Sequence, residues 1–289
     1  MPGTAREPMC NGMSATTQAG ASHDGTVAPQ VLHFDRVRPD RDEITRLTRL
    51  QPGREAHRRW FELLDKLLAE FPRLMRPRAV YRIDEVTALE ARRIVLKSGA
   101  VFDGAVSSFL EYSTLLVTYV VTIGSALERL ARGWLRSGRV MQGTIADAIA
   151  SEAVEAVSQR LYDELLEWAH GRGLELTPPY SPGYCGMTVR QQIPLFASLP
   201  TERINVRLTA SCLMLPIKSI SGLIGIGPAD RIAPRGDPCE ACDHPDCVQR
   251  RAVCDRRRFA LMNEEGGCPA PHESDSPRPR PSDAPPGSA

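Results

Sequence analysis

Three features that the sequence lacks exclude some classes of function. It has no long apolar run: the longest, Leu115 to Ile123, has nine residues, two of them threonines, which is too short to span a bilayer and fits a buried strand. It has no excess of one charge, since 36 basic residues face 35 acidic ones, so nothing draws the whole chain to nucleic acid or to a membrane. Residues 1–29 hold no apolar segment typical of a secretory signal. We therefore expect a cytoplasmic protein whose thiols stay reduced.

Both ends of the chain are poor in large apolar residues. Residues 1–29 consist mainly of small and polar residues, and the last part is rich in proline and serine, so neither end can bury enough apolar area to offset the entropy lost on ordering. We expect disordered tails at residues 1–29 and 259–289, an α+β domain over residues 30–235, and a cysteine-rich segment over residues 236–258.

Helical and strand-like spacings of apolar residues alternate irregularly between the tails. The helical pattern is found over residues 57–71, 125–136, 144–170 and 192–196. The extended pattern is found over residues 31–37, 77–86, 94–102 with a break at Ser98-Gly99, 115–123, 204–211 and 220–226. Ser125 is placed to cap its helix, and a Gly-Arg-Gly segment from Gly171 ends the longest one. This irregular alternation favours a mixed α+β fold, with a largely antiparallel twisted sheet flanked by helices, over a doubly wound parallel sheet.

Four cysteines follow one another with the spacing C-x2-C-x4-C-x6-C, at Cys239, Cys242, Cys247 and Cys254. These four thiols lie within sixteen residues. In a protein of a reducing compartment, such crowding predicts a metal site rather than disulfides. Zinc accepts four thiolates and would hold the loop together, whereas an iron–sulfur cluster accepts four thiolates and would carry electrons. His244 is an alternative ligand, so the ligand set and the metal stay open.

A Pro-Gly turn lies between two tyrosines in the segment from Tyr180 to Tyr184. Pro182 fixes one backbone angle and Gly183 permits a positive φ, so the chain turns sharply here. A turn of this kind can offer backbone N–H groups and aromatic rings to a nucleoside. The alternative is a plain turn with two half-buried tyrosines.

Three charged side chains elsewhere are candidates for contact with a ligand. Glu152 and Glu155 lie three residues apart on the long helix and are neighbours on its surface, where a carboxylate could pair with a cationic ligand. Lys218 could face an anion. The alternative for all three is that they are solvated charges.

Five segments together resemble the reactivation domain of cobalamin-dependent methionine synthase, in particular its short free-standing relatives. They lie between about residues 121 and 227, at residues 122–124, 127–128, 147–155, 181–184 and 218–222. The resemblance implies a domain that binds S-adenosylmethionine and supplies the methyl group for remethylating an oxidised cobalamin after its reduction. It implies a separate corrinoid methyltransferase as partner, with cobalamin on that partner, and flavodoxin or another electron donor unless the cysteine segment holds an iron–sulfur cluster.

The resemblance also implies which residues bind the donor. Ser181, Gly183 and Tyr184 match the adenosylmethionine-binding loop, with Tyr180 beside it. Glu152 is the best match to the helix carboxylate near the ligand's charged amino-acid end, and Glu155 is the alternative if the helix register differs.

The sequence departs from the family pattern at one position of this loop. Pro179 stands where the family has an arginine, whose guanidinium fork would clamp the ligand's carboxylate. Arg190 or Arg207 could substitute for it from another element. Two other functions therefore stay open: a metal-stapled adaptor that binds a corrinoid protein without S-adenosylmethionine, and an ordinary methyltransferase, which the missing Gly-rich loop after an early strand disfavours.

Overall fold

The structure, a computed structural model, describes residues 26–184 and 186–232 and places nine strands and six α-helices in them. The strands are β1 (Val27–His33), β2 (Arg78–Glu90), β3 (Arg93–Leu96), β4 (Val101–Asp103), β5 (Leu115–Thr122), β6 (Leu174–Leu176), β7 (Arg207–Leu208), β8 (Met214–Leu215) and β9 (Ser219–Pro228). The helices are α1 (Arg41–Leu47), α2 (Arg58–Glu70), α3 (Val106–Phe109), α4 (Ala126–Arg136), α5 (Val140–His170) and α6 (Gln192–Ala197).

Seven of these strands form one curled antiparallel sheet in the order β4-β3-β2-β5-β9-β6, with β1 also paired to β2. The long strand β2 pairs along one edge with β1 and then with β3, and the pairing with β3 contains a register shift between Val86 and Ala88. Its other edge pairs with β5 from Arg78 to Glu85. The strands β7 and β8 form a separate short hairpin. The predicted α+β class with an antiparallel sheet flanked by helices is confirmed.

The sheet separates two hydrophobic clusters because successive side chains of a strand point to opposite faces. On β5, Val117, Tyr119 and Val121 belong to a large cluster with α2, α4 and α5, which we call the helical side. Leu116 and Val120 belong to a smaller cluster, which α3, α6 and the segment from Tyr180 to Val206 cover and which we call the loop side. The two sides therefore carry different candidate residues.

Helix α5 is the centre of the helical side. It packs against β2, β5, β6 and β9 on one flank and against α1, α2 and α4 on another. Because neighbours surround its first half, buried positions occur on several faces there, from Ile145 to Val157. This explains why the helix is less amphipathic than a surface helix would be.

Most predicted elements are confirmed, with three corrections. Residues 204–211 do not form one strand: a 3-10 turn ends there, Asn205 has a left-handed φ of 58°, and only Arg207 and Leu208 are extended. The first strand begins at Val27, inside the predicted tail, and ends at His33. Ser125 occupies the N-cap position, but its side chain makes no capping hydrogen bond and instead accepts one from Arg129.

Among the described residues, no helix has the length and apolar content needed to cross a membrane. Most of the predicted N-terminal tail and the whole of residues 236–289 lie outside the described residues.

Candidate ligand-binding loop and its support

Tyr180 fixes the start of the candidate loop to the sheet. Its N–H donates to Leu223 O at 2.9 Å, and the N–H of Leu223 donates back to Tyr180 O at 2.8 Å, so the residue extends the edge of the sheet beside β9. The Tyr180 side chain is only 6% exposed, and its ring packs against Phe109 with centroids 5.0 Å apart. Tyr180 therefore anchors the loop on the loop side of the sheet.

The turn itself is as sharp as the sequence predicts. Gly183 has a φ of 100°, a conformation that favours glycine. Its N–H donates to Met187 O at 2.8 Å, and the N–H of Tyr184 donates to Ser181 O at 3.1 Å. The prediction that the turn offers its amides to a ligand is therefore wrong for these two groups, because both donate within the loop.

A second contact holds the far end of the loop. Gly186 O accepts from Ala105 N at 3.2 Å, and a Cβ at Gly186 would lie 2.7 Å from the Cβ of Ala105. A Cβ at Gly104 would lie 2.6 Å from Gly186 O. Two glycines are needed for this close approach between backbones. The spacing of apolar residues does not reveal this contact; the only signal for it in the sequence is the pair of small residues Gly104 and Ala105.

The side chain that the loop leaves most open is Tyr184, which is 48% exposed. Of the two flanking rings predicted to contact a nucleoside, this one alone is accessible for stacking. Nine large apolar side chains are exposed in the described residues, and five of them fall in residues 184–217: Tyr184, Val189, Ile193, Leu213 and Ile217.

Glu152 lies on the other side of the sheet from the ring of Tyr180. It is only 7% exposed within α5, so the alternative of a solvated charge is wrong for this residue. Glu155, three residues later, is exposed. Helix α5 and Tyr180 both pack against β9, because Ser151 contacts Lys218, the residue before β9, and Tyr180 pairs with Leu223 within it.

Residues Ser219 to Gly222 of β9 lie between these two groups. They pair with β5 on one edge, and no other described strand pairs with their outer edge. The start of the loop and the Ser151 position of α5 thus contact the chain at the two ends of this open stretch, through Leu223 and Lys218.

A polar network fixes the start of β9 to the helices. The ammonium of Lys218 donates to Ser151 Oγ and pairs with Asp147 Oδ1, both at 2.8 Å, so the alternative that Lys218 faces water or a free anion is wrong. Glu128 Oε2 accepts from the N–H of Ile217 at 2.8 Å. The hydroxyls of Ser219 and Thr122 lie 3.0 Å apart.

This network explains four of the five segments on which the family resemblance rests. Residues 122–124, 127–128, 147–155 and 218–222 are far apart in the sequence but meet at this corner, where each supplies a hydrogen-bonding or packing group. Their shared pattern is therefore a pattern of packing as much as of ligand binding.

Replacing Lys218 by methionine is expected to lower the free energy of unfolding by about 1 kcal/mol, since it removes two charge-assisted contacts of a side chain that is only 12% exposed. The partner Asp147 is half exposed, so solvent screening keeps the loss modest. Urea unfolding measures it, and a double-mutant cycle with Asp147→Asn isolates the pair. Lys97→Met is the control, because the ion pair of Lys97 with Glu85 is exposed on both partners. An equal loss in both lysine variants would contradict the prediction.

Arg190 and Arg207, the two candidates to replace the missing family arginine, both lie near α6. Arg190 is in a 3-10 turn that directly precedes α6, and Arg207 is in β7, which packs against α6. Both side chains are exposed, and neither forms an ion pair with any residue of the described ranges. Both are therefore available to an anionic group.

The four predicted metal ligands, Cys239, Cys242, Cys247 and Cys254, lie outside the described residues. Within residues 26–184 and 186–232, no three His, Cys, Asp or Glu side chains are grouped so as to hold a metal ion. The metal site stays a prediction.

Comparisons with known proteins bear on the fold. No family model matches the sequence, and no curated protein matches it. Among solved structures, the chain is similar to the crystal structure of the MetH reactivation domain bound to AdoHcy, with a TM-score of 0.54 and 14% identity. The match covers 70% of this chain and 79% of that chain. The described residues therefore have a reactivation-domain-like fold.

Proposed function

We propose that this protein is a reactivation factor for a corrinoid methyltransferase. It would dock on a separate cobalamin-carrying protein and support the reductive remethylation of that cobalamin, with S-adenosylmethionine as methyl donor. One observation carries the proposal: the fold is similar to that of a reactivation domain bound to AdoHcy, and the loop that matches the family pattern is held at an open strand edge with Tyr184 exposed.

The residues present fit such a ligand in part. The Tyr184 ring is accessible to an adenine, Ser181 supplies a hydroxyl beside the turn, and the absence of a side chain at Gly183 leaves room for close approach. The buried carboxylate of Glu152 suits the ligand's cationic amino-acid end. Arg190 or Arg207 would take the place of the arginine missing at Pro179.

Binding to both the loop and Glu152 requires one ligand to contact both faces of the sheet. The ring of Tyr180 lies on the loop side of the sheet and α5 on the helical side, so one ligand must reach round the outer edge of β9 between Ser219 and Gly222 to meet both groups. Tyr180 enters the proposal as the residue that positions the loop.

The chain's own contribution to methyl transfer is position and exclusion of water. S-adenosylmethionine, when bound, supplies an electrophilic methyl group, and the protein has only to hold this group against the partner's cofactor. The exposed apolar side chains that follow the loop in the sequence, including Val189, Ile193 and Leu213, suit a docking surface that keeps water out of that contact.

The cysteine segment belongs to the same proposal. An iron–sulfur cluster held by Cys239, Cys242, Cys247 and Cys254 would deliver the electron needed to reduce the partner's cobalamin. Zinc at the same site would only stabilise the fold of the segment. In that case flavodoxin or another donor would supply the electron.

Replacing Tyr184 by leucine is expected to weaken S-adenosylmethionine binding about tenfold, since stacking of a base on an aromatic ring contributes roughly 1–3 kcal/mol. Isothermal titration of S-adenosylmethionine into the full-length protein measures the dissociation constant. Tyr184→Phe is the matched control, because it keeps the ring and should bind as the original chain does.

Two outcomes of this titration would count against the proposal. Absence of binding to the unaltered chain would overturn the role of methyl donor site. Equal binding by the leucine and phenylalanine variants would keep that role but move the adenine away from Tyr184.

A further inference from the structure

A cleft of about 600 Å³ lies on the helical side of the sheet, away from the candidate loop. One wall is the connection from β1 to α1, from Asp35 to Pro39, and the other is the end of α2 with Pro72 and Arg73. Its volume is within the range typical of ligand or peptide sites.

The rim of this cleft is strongly basic. Arg36, Arg38 and Arg73 line it, against a single carboxylate, that of Asp35. All three arginine side chains are exposed. Within the described part of the chain, none of their guanidinium groups forms an ion pair or a side-chain hydrogen bond, whereas the neighbouring Arg41 pairs with Asp65 at 2.7 Å. Three cations with no partner among the described residues therefore surround one opening.

The floor of the cleft is apolar. Val37 is buried in the main hydrophobic cluster, and Leu68 packs against that cluster from α2. An occupant that fits both surfaces carries negative charge along its edges and an apolar group at its centre.

We propose that this cleft docks an acidic segment of a partner protein, one in which carboxylates alternate with apolar side chains. The arrangement of charges favours a peptide over a free phosphate. The three guanidinium groups lie on an exposed rim with an apolar floor beneath. A site for a small anion would instead need hydrogen-bond donors that converge on one point. The proposal does not depend on the proposed function, since the cleft shares no residue with the loop.

Fluorescence anisotropy of the full-length protein tests the proposal with two labelled peptides. In the first peptide glutamates alternate with leucines, and in the second serines replace the leucines. We expect the first to bind, the second to bind more weakly, and added salt to weaken both by screening.

A matched pair of triple variants locates the binding. Replacing Arg36, Arg38 and Arg73 together by alanine is expected to weaken the leucine-containing peptide about tenfold, as loss of three partly screened ion pairs should. Replacing Arg92, Arg136 and Arg203 together by alanine changes the net charge equally at exposed positions elsewhere and should leave binding nearly unchanged. All six arginines are exposed, so both triple variants should keep the fold.

Four results would overturn the proposal. These are no binding of the leucine-containing peptide, equal losses in the two triple variants, equal binding of the two peptides, and displacement of the peptide by inorganic phosphate at matched ionic strength. The last would make the cleft a small-anion site. Failure of S-adenosylmethionine to bind would leave this test unaffected, so the two proposals can fail separately.

Discussion

Replacing Gly222 by valine is expected to lower the free energy of unfolding by about 3 kcal/mol, at the upper end of what overpacking a core usually costs. Gly222 lies in β9 directly opposite Tyr119 of β5. A Cβ at Gly222 would lie 2.7 Å from the hydroxyl of Tyr119 and 2.8 Å from two of its ring carbons. The tyrosine ring therefore occupies the space that any side chain at position 222 would need.

Tyr119 cannot easily move aside. It is buried beneath α5, and its hydroxyl bonds with Ser158 of that helix. Burial raises the pKa of Tyr119 to about 12, although the hydrogen bond with Ser158 lowers it slightly, so the hydroxyl is neutral at pH 7. Displacing the ring would break this bond and open α5, which packs on the whole helical side.

Thermal unfolding measures the effect, and a drop of roughly 6 to 12 °C corresponds to the expected loss for a domain of this size. Gly133→Ala is the control, for which the change in stability should have the opposite sign. Gly133 is exposed inside α4 with nothing within 4 Å of an added Cβ, so alanine should raise stability by about 1 kcal/mol. An unchanged midpoint for the valine variant would mean that the ring does not lie over Gly222.

The sequence predicted the elements whose apolar spacing is regular and uninterrupted. Leu115–Thr122 is buried at every position, and Arg58–Glu70 has one apolar stripe, so both patterns were clear. The failure at residues 204–211 has a local cause. Asn205 and Cys212 both adopt a positive φ, which alternation of side chains cannot reveal, and they divide the segment into a turn and a short hairpin.

The site was predicted less completely than the fold. The loop's sharp turn follows from Pro182 and Gly183, which fix it locally. Tyr180 is buried against Phe109, and Glu152 is buried on α5, which strands and helices from other parts of the chain surround. Contacts between residues so distant in the chain cannot be read from spacing, so which tyrosine is accessible and which glutamate is buried had to come from the structure.

The family resemblance predicted the fold well for a physical reason. Lys218 and Gly222, both in the matching segments, hold β9 against α5 and β5 through an ion pair and a ring contact. Residues with such packing roles define the fold whether or not a ligand binds. Whether the protein binds S-adenosylmethionine must therefore be tested at residues other than Lys218 and Gly222.

Substitution of Glu152 tests the binding of S-adenosylmethionine most directly. Replacing it by glutamine is expected to weaken S-adenosylmethionine binding by about ten- to a hundredfold, because a hydrogen bond to a charged group contributes roughly 1.5–3 kcal/mol. The substitution keeps the size of the side chain and removes only its charge. Isothermal titration of the full-length protein measures the change, which tests whether one ligand reaches from the loop to α5.

Glu155→Gln is the matched comparison, since it makes the same chemical change three residues along the same helix at an exposed position. A loss of binding in this variant alone would assign the helix carboxylate to Glu155 instead. Solvent screens that carboxylate, so its loss should alter binding by less than about fivefold, which corresponds to the limit of about 1 kcal/mol for an exposed charge. If both glutamine variants bind as the original chain does, and only Glu152→Gln lowers the melting temperature of the ligand-free protein, the buried carboxylate serves packing alone. The ligand would then be confined to the loop side of the sheet, with its carboxylate against Arg190 or Arg207 and its amino group exposed to solvent or to the corrinoid partner.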